Sequence, residues 1–325
     1  MLKHLSLPLL LCIPAVAQAD NLRVVVDIPP LHSLTTQVMG ETGTPELLTK
    51  PGTSPHNHAL RPSEAQRLQS ADMVIWLGPD LSPWLAEAIH EMAPNAASLP
   101  LLKAEGTTLL AQRGAHHHDH DHGDEEHAHE EEHDDHDHEG HDHEEHADDD
   151  HEGEERHDTH AWLSPDNAVV WLAVIAEDLA KKDPANAEAY RANAAEAAKA
   201  ITAQSAEIEA RLKPLSEREF LTAHDAYQYF EVRFGLTSHA AITDSEDQDA
   251  GPAHLREVLE NSPGLGCFVT ETTTSPATIK LVSETLDIPH VVIDPLGRDI
   301  PLGADNYSAL LNNFADGFEK CLTPR

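Results

Sequence analysis

The amino-acid sequence predicts an α/β fold of two lobes, each a parallel sheet flanked by helices, joined by one long rigid helix. Short apolar runs alternate with helix-like segments, as in the run from Met73 to Leu77 and the segment from Leu81 to Met92. Such alternation is typical of βα units with parallel strands. The linking helix is predicted from Asn186 to Leu212, a stretch without Gly or Pro that would extend about 40 Å as a helix.

The remaining elements follow from hydrophobic periodicity, β-branched residues and the positions of Pro. In the first lobe we expect strands at 22–27, 46–48 and 73–77. We expect helices at 31–39 and 81–92, and another helix that begins after Ser63 as its N-cap. In the second lobe we expect strands at 220–223, 237–242, 267–270 and 290–293, and helices at 226–234, 252–261, 276–286 and 307–321. The predicted domains are an N-terminal lobe at 20–165, a helical region at 166–213 and a C-terminal lobe at 214–325.

The first 19 residues have the features of a cleavable secretory signal peptide. A basic start precedes an apolar run from Leu5 to Val16, and Ala17-Gln18-Ala19 forms a small-residue cleavage site. The alternative is a membrane anchor, but the run is shorter than the roughly 20 residues that a spanning helix needs. We therefore expect the mature chain to be located in the periplasm.

Charge is concentrated in one low-complexity insert. The whole chain has 21 basic and 58 acidic residues, for a net charge of -37, which argues against nucleic acid as a partner. Between His116 and His157 there are 21 acidic residues and 15 histidines. The insert has almost no apolar residues, and the little apolar surface that it could bury cannot offset the entropy lost on ordering. We therefore expect a disordered insert at about 115–157.

Two cysteines, Cys267 and Cys321, follow the predicted signal peptide. An even number of cysteines in an exported chain favours a disulfide. The alternative is a pair of unlinked buried thiols.

Three histidines outside the insert, and one aspartate, occupy positions where ligands bind in α/β proteins. His56 lies in a loop after a predicted strand, His160 precedes the helix start at Ser164, and His224 and Asp294 directly follow predicted strands. Ligands of open α/β sheets bind beyond the carboxyl ends of the strands. Three imidazoles and one carboxylate suit Zn²⁺, although a single histidine at a strand end is more often only hydrogen-bonded.

Four segments of the chain resemble the zinc-specific substrate-binding proteins of ABC importers, a group related to manganese receptors. These segments are 54–63, 159–165, 223–230 and 294–297. The resemblance implies that His56, His160 and His224 are zinc ligands, with Asp294 or a water as the fourth. It also implies a disulfide between Cys267 and Cys321, and a His-rich loop at the position of the insert.

This chain departs from the pattern near the first ligand. His58 stands where an aromatic residue is common, and Pro55 stands where some zinc receptors carry Glu. His58 is therefore a further candidate ligand, as are His32 and Glu271.

The histidines of the insert are predicted to bind additional zinc more weakly than a preformed site, because a flexible segment must be ordered on binding. The alternative is an acidic spacer without a metal role. The candidate auxiliary ligands are His116, His117, His118, His120, His122, His127, His129, His133, His136, His138, His141, His143, His146, His151 and His157.

These observations predict a monomeric periplasmic receptor that captures Zn²⁺ in an interlobe cleft and delivers it to an ABC permease. Zn²⁺ is then cargo and not a catalytic cofactor, and no enzymatic activity is expected. The alternatives are a receptor for Mn²⁺ or another divalent ion, a periplasmic zinc buffer, and a metalloenzyme with Glu271 as its base. Mn²⁺ favours more oxygen ligands, and an enzyme needs an open metal position.

Overall fold

The computed structural model describes residues 22–113, 156–243 and 251–324. The predicted signal peptide and residues 115–155 of the His-rich insert lie outside these described residues. The last two residues of the predicted insert, Arg156 and His157, are described and pair with the segment before it, so the expectation of disorder is wrong for them. Contacts between Cα atoms divide the chain into two units that are each discontinuous in sequence. Unit 1 takes the described residues up to Thr107, then Pro165–Ala206 and Leu296–Asn312, and unit 2 takes the described residues of Thr108–Ser164, Glu207–Pro295 and Asn313–Arg325. The boundaries suggested by the sequence at 165 and 213 stay predictions.

In the described part of unit 1, four parallel strands form a sheet in the order β2-β1-β3-β4. The two central strands are wholly buried, which agrees with their apolar and β-branched sequences. The edge strand β4 was not predicted, and it ends in a proline that an edge position tolerates. The strands are β1 (Val24–Val26), β2 (Glu46–Leu47), β3 (Met73–Trp76) and β4 (Ala97–Pro100).

The helices of unit 1 begin at prolines, which fit the first helical turn because their missing N–H is not needed there. They are α1 (Pro29–Met39), α2 (Pro62–Ser70), α3 (Pro83–Met92) and α4 (Pro165–Lys182). The expectation that Ser63 is the N-cap of α2 is wrong, because Pro62 is the first helical residue and Arg61 is the cap. Apolar faces of α2 and α3 pack on the sheet in a core that includes Leu68, Val74 and Leu85.

Asp27 directly follows β1 and is buried. Its carboxylate accepts hydrogen bonds from the backbone N–H of Ile28 at 2.8 Å and of Leu77 at 2.9 Å. Burial raises the pKa of Asp27 to about 7, and the two N–H donors oppose that rise. The carboxyl group therefore links the ends of β1 and β3, and its burial costs stability progressively as the pH rises from about 4 towards 7.

In the described part of unit 2, four parallel strands form a second sheet in the order β6-β5-β7-β8. His224 is the last residue of β5, so the expectation that it follows that strand is wrong by one position. The strands are β5 (Glu219–His224), β6 (Thr237–Thr243), β7 (Phe268–Thr270) and β8 (His290–Val292).

The helices of unit 2 cover a core in which apolar side chains such as Leu221, Phe268 and Val282 are buried. A separate aromatic group of Phe220, Phe230, Phe314 and Phe318 packs with ring centroids 5.0–6.3 Å apart, which is within the range that aromatic pairs prefer. The helices of this unit are α6 (Gln228–Phe234), α7 (Pro252–Glu260) and α8 (Pro276–Leu286).

Two helices contribute residues to both units. The predicted linking helix is present as α5 (Ala187–Leu212), which starts in unit 1 and ends in unit 2. The C-terminal helix α9 (Asn306–Leu322) does the same. Two parallel sheets flanked by helices, together with this long helix, confirm the predicted fold class. Within the described ranges, no helix combines the length and the apolar composition that crossing a bilayer requires.

The predicted disulfide between Cys267 and Cys321 is present in unit 2, with Cα atoms 5.3 Å apart. Cys267 precedes β7, and Cys321 lies in the last turn of α9. Both residues are buried, so the bridge joins the sheet to the C-terminal helix.

We expect reduction of this disulfide to lower the free energy of unfolding by about 4 kcal/mol, because the unfolded chain loses the restraint of a 54-residue separation. Denaturant unfolding with and without reductant measures the change. A Cys267→Ser, Cys321→Ser double variant is the control, since its stability should not respond to reductant. Equal stability of the oxidised and reduced wild-type protein would contradict the expectation.

Candidate metal centre

His224 ends β5 in unit 2 and is held by a buried carboxylate. Its Nδ1 donates to Oε1 of Glu271 at 3.0 Å, and Glu271 directly follows β7. Only 4% of His224 and 3% of Glu271 are exposed. Because the carboxylate accepts from Nδ1, the neutral ring carries its lone pair on Nε2.

His160 has the same arrangement with a different carboxylate. Its Nδ1 donates to Oδ1 of Asp158 at 2.7 Å, and the same oxygen accepts the backbone N–H of His160 at 2.9 Å. Both side chains are buried. The neutral His160 ring therefore also carries its lone pair on Nε2.

The structure brings His160 and His224 together within unit 2. Their ring centroids are 4.9 Å apart with the planes at 73°, and each ring offers a nitrogen within 4.8 Å of one on the other. Two buried imidazoles at this separation have the chemistry and spacing to supply two of the four ligands that Zn²⁺ prefers.

Asp294 lies at the same edge of the sheet, two residues beyond β8, and is partly buried. Hydrogen bonds fix the backbone on both sides of it. Tyr227 donates its hydroxyl to the carbonyl of Ile293 at 2.8 Å, and the indole of Trp162 donates to the carbonyl of Pro295 at 2.8 Å. The pKa of Tyr227 is raised well above its usual value by burial and by the charges of Glu271 and Asp294, so this hydroxyl remains a donor.

A partly buried ion-pair network includes Asp225, the residue after His224. The guanidinium of Arg113 binds both oxygens of Asp225 and both oxygens of Glu231. Burial raises the pKa of Glu231 despite the hydrogen bonds from Arg113. Arg113 therefore joins the segment that precedes the insert to the loop between β5 and α6.

In unit 1, His56 lies in the loop between β2 and α2, and the residue before it is held by two donors. The carbonyl of Pro55 accepts the hydroxyl of Ser82 at 2.8 Å and the indole N–H of Trp84 at 2.8 Å. Both donors lie at the start of α3. The loop that carries His56 is therefore anchored to a helix of its own unit.

His58 is engaged within the same unit. Its Nε2 donates to Glu64 at 2.8 Å, and Glu64 also accepts the backbone N–H of Arg61 at 2.8 Å. Burial alone would raise the pKa of Glu64, but the hydrogen bonds from Arg61 and His58 hold it below its ordinary value. The His58 ring packs edge-on against Trp84 with centroids 5.1 Å apart. His58 thus supports the start of α2.

His32 lies in α1 of unit 1, and both its ring nitrogens have neighbours. Nε2 donates to the carbonyl of Pro45 at 3.1 Å, and Nδ1 lies 3.4 Å from the hydroxyl of Thr36. Burial lowers the pKa of His32. Its hydrogen bonds favour a structural role over that of a metal ligand.

Sequence reasoning missed Asp158, Tyr227 and Arg113. Asp158 stands in an Asp-x-His pattern before His160, but it adjoins a tract with many acidic residues and was not distinguished from them. Tyr227 and Arg113 act through contacts that are distant in sequence, for which a single sequence gives no signal. Glu271 was singled out as a candidate ligand or base, whereas the structure places it against Nδ1 of His224.

An α/β protein with two neighbouring buried imidazoles, one of them at the carboxyl end of a parallel strand, is the class that the fold and unit 2 define. Comparison with protein families narrows this class. Residues 24–321 match the family ZnuA, zinc-uptake complex component A periplasmic. The chain belongs to this family.

Similar proteins agree with that assignment. The chain is 42% identical over 309 residues to the high-affinity zinc uptake system protein ZnuA of Paracoccus denitrificans, covering 94% of this chain and 93% of the relative. It is 39% identical to the protein of the same name from Brucella suis, covering 92% and 91%. The sequence resemblance to zinc-specific receptors is therefore confirmed.

Solved structures share the fold at lower identity. A zinc-bound deletion mutant of ZnuA has a TM-score of 0.73 at 20% identity, covering 94% of this chain and all of the other. FpvC from Pseudomonas aeruginosa in complex with Mn²⁺ also has a TM-score of 0.73, at 19% identity, covering 93% and 98%. Because proteins with this fold hold different metals, the fold alone does not determine which metal is bound.

We expect His58→Ala to destabilise the protein by about 1–3 kcal/mol, because Glu64 loses a buried charge-assisted hydrogen bond. Zinc affinity should change by less than about threefold, since the ring of His58 is already bound to Glu64. Thermal unfolding and competition with a chelator measure the two quantities. A large loss of affinity with unchanged stability would instead identify His58 as a ligand.

Proposed function

We propose that this chain captures Zn²⁺ in the periplasm and delivers it to an ABC permease. The observation that carries the proposal is the buried pair of His160 and His224, each bound at Nδ1 by a carboxylate and each presenting Nε2. Membership of the zinc-uptake family gives the direction of transport. Zn²⁺ is the cargo of this function.

The proposed zinc ligands are His56, His160, His224 and Asp294. His160 and His224 supply the pair in unit 2, and His56 supplies a third imidazole from a loop that is anchored through Pro55. Asp294 supplies the fourth ligand, and hydrogen bonds to the carbonyls of the residues on either side of it hold its backbone in place. A water molecule is the alternative fourth ligand. Three nitrogens and one oxygen match the preference of Zn²⁺ for four ligands.

A receptor for Mn²⁺ is the second candidate, since FpvC in complex with Mn²⁺ has the same fold. The donor chemistry of this chain favours zinc. Imidazole nitrogens suit Zn²⁺, whereas Mn²⁺ is better served by carboxylate, carbonyl and water oxygens. The carboxylates of Asp158 and Glu271 are bound to imidazole Nδ1 atoms, which reduces the oxygen donors available to a metal.

The cellular setting is part of the proposal. Removal of a signal peptide at residues 1–19 would leave a monomeric periplasmic protein, and family members are components of a zinc-uptake complex. A receptor needs a membrane permease as its partner, and it binds metal without catalysing a reaction. A periplasmic buffer needs no permease, so lost zinc uptake in a deletion strain distinguishes the receptor from the buffer.

The insert is proposed as a set of weaker zinc sites. The described residues before the insert pair in unit 2 with the last residues of the insert. Ala111 and His157 form an antiparallel bridge, and the N–H of Gln112 donates to the carbonyl of Arg156 at 2.9 Å. The two ends of the insert therefore leave unit 2 at adjacent points, so removing it would need only a short turn.

We expect His56→Ala, His160→Ala and His224→Ala each to weaken zinc binding by at least about tenfold, because each removes one bond to the metal. Competition with a strong chelator at one equivalent of zinc reports the tight site. His239→Ala is the matched control, since that imidazole binds Glu219 and the carbonyl of Asn261 on the surface of unit 2.

Unchanged affinity in all three variants would contradict the ligand assignment. Tighter binding of Mn²⁺ than of Zn²⁺ by the wild-type protein would favour the second candidate.

We expect deletion of residues 115–155 to leave the tight zinc site intact and to remove the additional weak sites. Gln112 and Arg156 remain paired, and Arg113-Gly114 becomes a two-residue turn of the kind that joins antiparallel strands. Calorimetric titration should therefore find about one zinc per chain in the deletion variant and more than one in the full chain. Loss of the tight site with survival of the weak ones would place the functional site in the insert.

A further inference from the structure

From the buried network at the end of β5 we infer that Glu271 is a positioning residue for zinc binding and not itself a ligand. Its role is to fix the ring of His224 so that Nε2 faces the metal. The inference rests on the proposed function, since it assumes that His224 binds zinc. It reassigns Glu271, which the sequence offered as a candidate ligand or as the base of an enzyme.

The geometry of the imidazole ring separates Glu271 from any metal that His224 holds. Oε1 of Glu271 lies 3.0 Å from Nδ1 of His224. The two ring nitrogens point in directions about 140° apart, and a Zn–N bond is about 2.1 Å. An oxygen bonded to Nδ1 is then roughly 7 Å from a zinc ion on Nε2, and its partner oxygen is still several ångströms beyond bonding distance.

The position of Glu271 is itself fixed. It directly follows β7, its backbone N–H donates to the hydroxyl of Thr274 at 2.9 Å, and its side chain is 2% exposed. The hydroxyl of Tyr227 lies 3.4 Å from Oε1 while it donates to the carbonyl of Ile293 at 2.8 Å. The backbone of Glu271 is therefore held within its own loop, and its carboxylate contacts Tyr227 at the start of α6.

This arrangement has two physical effects on His224. The hydrogen bond holds the ring in one orientation and keeps the proton on Nδ1, so no reorganisation is needed when a metal arrives. The negative charge next to Nδ1 also makes Nε2 a stronger donor to a cation. Loss of such a partner typically costs tenfold to a hundredfold in metal affinity.

A double-mutant cycle tests the inference with the full-length chain. Zinc affinity is measured by chelator competition at one equivalent of zinc for the wild type, Glu271→Ala, His224→Ala and the double variant. We expect Glu271→Ala to weaken binding by about tenfold to a hundredfold when His224 is present. With His224 already replaced, the same change should alter affinity by less than about twofold, because Glu271 acts through that ring.

The outcomes separate the inference from the proposed function. An equal loss in both backgrounds would show that Glu271 binds the metal or supports the fold independently, and would overturn the inference. Weakening by His224→Ala but not by Glu271→Ala would overturn the inference and leave the proposed function standing. If His224→Ala has no effect, the proposed site is wrong and the inference fails with it.

Two milder variants keep the test decisive if Glu271→Ala does not fold. Glu271→Gln retains an oxygen that accepts from Nδ1, so it should recover part of the affinity that the alanine variant would lose. Tyr227→Phe removes only the hydroxyl and keeps the ring packed against Phe314 and Phe318. We expect it to weaken zinc binding by about threefold or more.

Tyr190→Phe is the matched control, because it removes a hydroxyl that binds Asp183 within unit 1. Its zinc affinity should equal that of the wild type. Wild-type affinity in both Glu271→Gln and Tyr227→Phe, with the fold intact, would overturn the inference.

Discussion

The parallel pairing of β5 with β7, and of β7 with β8, brings the carboxyl ends of three strands to one edge of the unit 2 sheet. His224 ends the first of these strands, Glu271 follows the second, and Asp294 lies two residues beyond the third. Antiparallel pairing of β7 would send Glu271 to the opposite edge, and His224 would lose its partner. The polar groups of this edge therefore depend on the strand direction, which follows from the helical crossover that connects each of these strands to the next.

Burial makes the hydrogen bonds of this edge obligatory, since an unpaired polar group in an apolar interior costs several kcal/mol. The start of α6 supports both imidazoles of the pair. Tyr227 contacts the carboxylate that binds His224, and Tyr229 donates to the carbonyl of Asp158, whose side chain binds His160. Burial raises the pKa of Tyr229 to about 12, so this hydroxyl also remains a donor. One short helix thus connects the two imidazoles through two carboxylates.

Sequence periodicity predicted the elements in which the local sequence and the packing in the fold favour the same secondary structure. Helix α8 runs from Pro276 to Leu286 as expected, because Ser275 caps it and a proline begins it. Strand β4 is not predicted by the sequence, because its Ala, Ser and Pro residues have weak strand preference. Its extended conformation is stabilised by pairing with β3. At the site, the positions of the histidines were informative. Their partners were not, because the contact of His224 with Glu271 spans 47 residues of sequence.

The same contacts bear on the choice of metal. Carboxylates near a site ordinarily add oxygen ligands and so favour Mn²⁺ over Zn²⁺. Here Asp158 and Glu271 bind the Nδ1 atoms of His160 and His224. The two carboxylates would therefore act on a metal indirectly, through the imidazole rings. In the proposed site their negative charge still offsets that of a divalent cation, but the donor atoms that His160 and His224 offer are nitrogens. An acidic neighbourhood can in this way support a nitrogen-rich zinc site, because these two carboxylates orient imidazole ligands and do not bind the metal themselves.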